Sequence, residues 1–190
     1  MPDTPGSLDI DPAALLAGAR AELARLPGLL HGLLDGLDLA TWGARPAPGE
    51  WAPVEIVCHL RDEEVEDFGA RVGAVLEARA RVSPIDPERW AEERGYRRAD
   101  PGAALAALCD ARAASVTSLA AIAPARLRGV VELPGGGRLS GLDLLAAWVA
   151  HDRLHLAQLA GTLARLWAAR WAPLRAGYAG PIPYPPGTPQ

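Results

Sequence analysis

The stretch "WVAHDRLHLAQLA", Trp148–Ala160, sets His151 and His155 four residues apart in a segment that is otherwise apolar. An α-helix stacks residues at that spacing on one face, which brings two imidazoles within reach of a single metal ion. The helical reading extends outward from there. Ser140 with Asp143 three residues on has the form of a capping box, and the pattern it opens runs to about Trp167. Leu144, Trp148, His151, His155, Gln158 and Thr162 share one row of it, so the histidines continue an apolar stripe. Imidazoles on such a stripe need partners at both ring nitrogens, and a metal with an acceptor behind it supplies both.

Three more segments carry helical periodicity, each bounded by glycine and proline clusters. The first spans about Pro12 to Leu37, with Leu16, Ala19, Leu23, Leu26, Leu30, Leu33 and Leu37 on one face and a kink expected at Pro27. After the loop "DLATWGARPAPGEW", Pro53 stands as a first-turn proline for a second helix running to about Ala80, which carries His59. The charged, turn-rich "RVSPIDPERWAEERGYRRADPG" reads as a long crossover with one short helical piece. Asp100 and Pro101 then form an N-cap and first turn for a third helix, whose Leu105, Leu108, Ser115 or Val116, Leu119 and Ile122 repeat at helical spacing before Pro124. Val130, Val131 and Leu133 suit a short extended piece ahead of a glycine turn. Beyond Trp171 a proline-rich tail favours extended or disordered chain. These elements predict an all-α fold, a four-helix bundle with a long crossover connection, over residues 12–170, between an N-terminal extension (1–11) and a tail (171–190).

Composition narrows the function. With 190 residues and 49% hydrophobic content the chain can bury one core. A net charge of -4, with arginines scattered among acids, excludes a nucleic-acid surface. Cys58 and Cys109 form no CxxC pair, which suits a reducing cytoplasm. The N-terminus has acids and prolines where a secretory signal needs a basic start, and no uncharged apolar run reaches the roughly 20 residues that span a bilayer. A cytoplasmic protein with no membrane partner is expected.

The phrase "RPAPGEWAPVEIVCHLRDEE", Arg45–Glu64, resembles the entry to the second helix in the DinB/YfiT-like superfamily of metal-dependent enzymes, and "LSGLDLLAAWVAHDRLHLAQLAGTL", Leu139–Leu163, resembles its last helix. The resemblance covers about Asp11 to Leu166. It implies a four-helix bundle whose second and fourth helices supply three histidine ligands, here His59, His151 and His155. Three neutral imidazoles suit a divalent ion, zinc or nickel first and iron or manganese next. The resemblance also implies chemistry on a small-molecule substrate with a low-molecular-weight thiol such as bacillithiol or mycothiol.

Glu63 lies one helical turn beyond His59 and Asp62 three residues beyond, so either carboxylate is a candidate catalytic base or a partner for the ligands. Against that stands the plainer reading of Glu63, Glu64, Glu66 and Asp67 as a solvated charged face. Trp51, Trp148, Trp90 and Tyr96 are candidates for a pocket wall or for core packing, and Arg61 and Arg71 for holding a substrate carboxylate or pairing with neighbouring acids. His31 sits beside the apolar stripe of the first helix and reads as a surface residue, while Cys58 is turned about 100° from His59 and reads as core. Two function classes stay open: an enzyme, either a thiol-dependent transferase or isomerase or a metal-assisted hydrolase, and a stress-response bundle that binds metal or a small ligand without turnover. Alanine-rich helix faces and the tail add a homodimer as an expected partner.

Overall fold

The structure, a computed structural model, describes residues 10–182. The expectations for most of the N-terminal extension and for the last prolines of the tail therefore lie outside the described residues. Four helical stretches form the bundle. The first is α1 (Pro12–Leu23) followed by α2 (Leu26–Leu34). A short α3 (Leu39–Gly43) leads to the second stretch, which comprises α4 (Pro53–Glu63), a π-helical segment (Glu64–Gly69) and α5 (Ala70–Leu76). The crossover holds α6 (Pro87–Glu93) and a 3₁₀ turn (Tyr96–Arg98). The third stretch is α7 (Pro101–Ala120) and the fourth α8 (Gly141–Arg170). Between them β1 (Val130–Glu132) and β2 (Arg138–Ser140) pair as an antiparallel hairpin, the second strand being an addition to the predicted extended piece.

The helix starts follow the caps written in the sequence. Asp11 accepts from the Ala13 amide, Asp100 from Ala103, and Ser140 exchanges bonds with Asp143 in a full capping box. The first helical stretch departs from expectation. It breaks at Ala24–Arg25 instead of bending within one helix, and it ends at Leu34. In an unbroken helix the residue 27 amide would bond to the Leu23 carbonyl, but Pro27 has none to give. Arg112 Nη1 on α7 donates to that carbonyl instead, at 3.1 Å.

The second stretch also differs, ending at Leu76 rather than Ala80 and containing the π segment, which inserts one extra residue into the helical register. Gly69 permits it: a Cβ there would lie 2.7 Å from the Glu64 carbonyl oxygen. The register gained turns Glu64, Asp67 and Phe68 inward, so three residues of the supposed solvated face, Glu63 included, are buried and Glu66 remains exposed. In the tail, residues Ala176–Ala179 form a 3₁₀ turn, not extended chain.

Two apolar clusters make the core. One joins α2, α4 and the first half of α7 through Leu26, Leu30, Ile56, Leu60, Leu105 and Leu108. The other joins α1, α5 and the first half of α8 through Leu16, Leu23, Val72, Val75, Leu144 and Trp148. A polar layer separates them, between Leu60 and Phe68 on the second stretch, Leu108 and Leu119 on α7, and Trp148 and Leu159 on α8. Helix α7 is, by length and composition alone, apolar enough to cross a membrane. It nonetheless carries Arg112, 1% exposed, into this polar layer.

Candidate functional site

The polar layer has two halves. In the closed half, Arg112 reaches Glu64 Oε2 through Nε at 2.9 Å and grips Asp152 with two parallel bonds, Nη1 to Oδ2 at 2.5 Å and Nη2 to Oδ1 at 2.9 Å. The Trp148 indole also donates to Glu64 Oε2, at 3.1 Å. This triad of Glu64, Arg112 and Asp152 ties three helices at the level of the Leu23 carbonyl. Burial raises the Glu64 carboxyl above the usual carboxylate range, opposed by the guanidinium. Neither Arg112 nor its role was visible in the sequence, where an arginine in an alanine-rich helix reads as surface charge.

The other half holds the three histidines. His151 and His155 share the inward row of α8, and His59 meets them from α4. His155 Nε2 lies 3.0 Å from His59 Nε2 and 3.0 Å from His151 Nε2, and one ligand atom from each ring falls within 4.8 Å of the others. Among the described residues no other histidine, cysteine or carboxylate set converges in this way. His31 is elsewhere, exposed and paired with Asp35, and Cys58 is fully buried in the core.

The donor chemistry fits a cation. His155 Nδ1–H donates to Gln158 Oε1 at 2.7 Å, which fixes the tautomer and leaves the Nε2 lone pair facing the other two rings. His59 Nδ1 is buried without a hydrogen-bond partner, Glu63 Oε1 standing off at 3.6 Å. A proton on Nδ1 leaves the Nε2 lone pair aimed at that of His155. A proton on Nε2 leaves Nδ1 unsatisfied in the core. Protein atoms alone therefore leave one nitrogen of the trio uncompensated, whereas a divalent ion accepts all three lone pairs. Tetrahedral zinc–imidazole bonds of about 2.0–2.1 Å imply nitrogen separations of about 3.3 Å, close to the two 3.0 Å separations at His155, while the three ligand atoms all lie within 4.8 Å of one another. Burial pushes the His59 imidazole down to about 4 and lowers His155 as well, so both are neutral at physiological pH, as ligands must be.

The two candidate carboxylates separate cleanly. Glu63 Oε2 lies 2.8 Å from His151 Nε2, which puts its carboxylate at the convergence point. Burial raises its pKa, but the hydrogen bond from His151 and the surrounding imidazoles outweigh this and hold the group below the ordinary value. Asp62 has its oxygens engaged by other groups. It accepts from Arg61 Nε at 2.6 Å, from Arg94 at 2.7 Å and from the Tyr96 hydroxyl at 2.6 Å, fastening the crossover to α4. Glu55, also buried, accepts from Arg45 and from the Ala52 amide.

Of the aromatic candidates, Trp51 sets its ring edge to His59 at 4.8 Å between centroids. Phe68, turned in by the π segment, lies 5.0 Å from His151 and stacks on Trp148. Trp148 belongs to the core, Trp90 lies beneath the Arg94 guanidinium, and Tyr96 is bound to Asp62. Arg61 and Arg71 pair with Asp62 and Asp67, the neighbouring acids.

The sequence model of the DinB superfamily matches residues 22–159. No curated protein matches the chain in sequence. Among solved structures the chain is similar to YfiT from Bacillus subtilis, described as a probable metal-dependent hydrolase with an unusual four-helix bundle topology. The TM-score is 0.75 at 18% identity, with 87% of this chain and 94% of that one covered. It is also similar to a mycothiol-dependent maleylpyruvate isomerase, with a TM-score of 0.62 at 15% identity, over 80% of this chain and 61% of that one. At such identities the likeness shows the fold, a four-helix bundle.

Proposed function

The chain belongs to the DinB superfamily, and on that premise we propose that it is a metal-dependent enzyme whose divalent ion is held by His59, His151 and His155. The observation that carries this reading is the convergence of three imidazole nitrogens from two helices, with Gln158 setting one tautomer and a buried His59 nitrogen left without a protein partner. An ion held by three neutral ligands supplies Lewis acidity that brings a water or a thiol close to ionising at neutral pH.

The chain's own residues then have distinct tasks. Glu63, ionised and aimed at the convergence point, takes a proton at Oε2 and returns it to the leaving group. Gln158 keeps the His155 ring oriented. Trp51 and Phe68 flank the rings and limit water there. In the finer reading, the nucleophile is a low-molecular-weight thiol and the reaction is a transfer to, or an isomerisation of, a small electrophile. The maleylpyruvate isomerase among the structural neighbours supports that choice. YfiT, described as a probable hydrolase and covered over nearly its full length, supports water as the second nucleophile to test.

The test is consumption of small electrophiles by metal-loaded protein, with and without mycothiol or bacillithiol. Turnover only with thiol is expected. Turnover with water alone selects hydrolysis, and none under either condition, with metal bound, overturns the enzymatic reading.

A further inference from the structure

One guanidinium holds the two sides of the histidine site at the residues next to it. Glu63 and His151 meet at 2.8 Å across the second helical stretch and α8. The residue that follows each of them, Glu64 and Asp152, is bound by Arg112 from α7. Successive residues of a helix point about 100° apart. Anchors at 64 and 152 therefore fix both backbones at one level and leave residues 63 and 151 to turn toward the histidines.

Side chains make a second connection. The Trp148 indole donates to Glu64 Oε2, the same oxygen that Arg112 Nε binds. Its ring stacks on Phe68, with centroids 5.6 Å apart and planes 12° apart, and Phe68 lies 5.0 Å from the His151 ring. The aromatic pair beside His151 is thus tied to the same cluster.

Stability alone does not account for this cluster, because well-packed apolar side chains in place of a buried ion cluster are often neutral or stabilising. What apolar contact lacks is direction. A planar guanidinium meets two carboxylates with good hydrogen-bond geometry only when their helices stand in one register.

We propose that Arg112 is a positioning residue of the histidine site, acting through Glu64 and Asp152 to set the approach of Glu63 to His151 and the orientation of the His151 ring. This role rests on the metal-dependent reading above for its purpose, since His151 serves there as a ligand and Glu63 as the base.

The experiment compares the full-length parent with the triple variant Arg112→Met, Glu64→Leu and Asp152→Leu, and with Leu127→Ala as a control for lost stability. Leu127 is fully buried and packs against Gly141, ten residues or about 15 Å before His151 along α8, so its truncation weakens the fold away from the site. Phe68 is the only phenylalanine in the chain, and ring-labelled protein therefore reports on it alone. Without metal, a nuclear Overhauser effect between the Phe68 and His151 rings is expected in the parent and in Leu127→Ala, and is expected to be lost in the triple variant. With cobalt(II), the triple variant is expected to bind about tenfold more weakly, with an altered d–d absorption spectrum, while Leu127→Ala keeps the parent's affinity and spectrum. Arg112→Lys, which keeps the charge and gives up the paired bonds to Asp152, carries the same expectations should the triple variant not fold. A variant that keeps the ring contact, or that binds cobalt as the parent does, overturns the proposal, and so does a Leu127→Ala protein that loses both in equal measure. Loss of the ring contact in the triple variant of a parent that binds no cobalt refutes the metal-dependent reading and leaves the positioning role standing.

Discussion

Replacing Arg112 by methionine removes the cation from the closed half of the polar layer and leaves its partners in place. Glu64 and Asp152 side chains are 1% and 4% exposed, so water does not take over the bonds they lose. Breaking a buried ion cluster by deleting one partner costs about 3–5 kcal/mol. The Leu23 carbonyl, already without a helical donor because of Pro27, loses its only donor among the described residues, a loss of about 1–3 kcal/mol if taken alone. Protonation of one carboxyl relieves part of the total, which gives a net loss of about 4 kcal/mol. With a urea dependence of about 2 kcal/mol per molar, the unfolding midpoint falls by about 2 M. Uncompensated carboxyls have raised pKa values in the folded state, so the deficit shrinks as pH falls from 7 towards 5. A triple variant, Arg112→Met with Glu64→Leu and Asp152→Leu, recovers most of the loss because no charge remains to be desolvated. Urea denaturation at both pH values decides the matter. An Arg112→Met variant within about 1 kcal/mol of the parent, or a triple variant no better than the single one, refutes the reasoning.

Other perturbations probe the site directly. Gly69→Ala presses a Cβ on the Glu64 carbonyl and costs about 1–3 kcal/mol, read by thermal unfolding; it also displaces Phe68, with weaker metal binding as the second readout. Gln158→Leu releases the His155 ring and lowers metal affinity about 10- to 100-fold in competition with a chromophoric chelator, without a change in circular dichroism. Glu63→Gln keeps about one metal ion per chain yet slows turnover about 10²- to 10⁴-fold. For Glu55, burial raises the pKa but bonds from Arg45 and the Ala52 amide lower it further. Its stabilising effect is therefore present above about pH 4.5 and disappears as acid protonates the folded state. Glu55→Gln should accordingly show a shallower fall of melting temperature between about pH 5 and 3 than the parent.

How much of this was legible depended on how local each signal is. Asp11, Pro53, Asp100 and Ser140 act within a turn of where they stand, so the helix starts could be read directly. The four-residue spacing of His151 and His155 was equally local, but His59 could join them only through the tertiary fold of a bundle, and the family resemblance is what singled it out as the third ligand. Arg112 escaped notice because its partners Glu64 and Asp152 lie 48 and 40 residues away and nothing in its own helix distinguishes it. The π segment depends on Gly69 facing a carbonyl, which no periodicity reveals. Asp62 looked as eligible as Glu63 until Tyr96 and Arg94, from the crossover, were seen to occupy it.

The central claim is that three imidazoles from α4 and α8 hold one divalent ion, and metal stoichiometry tests it most directly. Protein purified without an affinity tag should contain, or take up after dialysis against zinc or nickel, about one ion per chain by elemental analysis, and His155→Ala should lose it while remaining folded. A parent protein that binds no divalent metal, or a His155→Ala variant that keeps its full complement, contradicts the account.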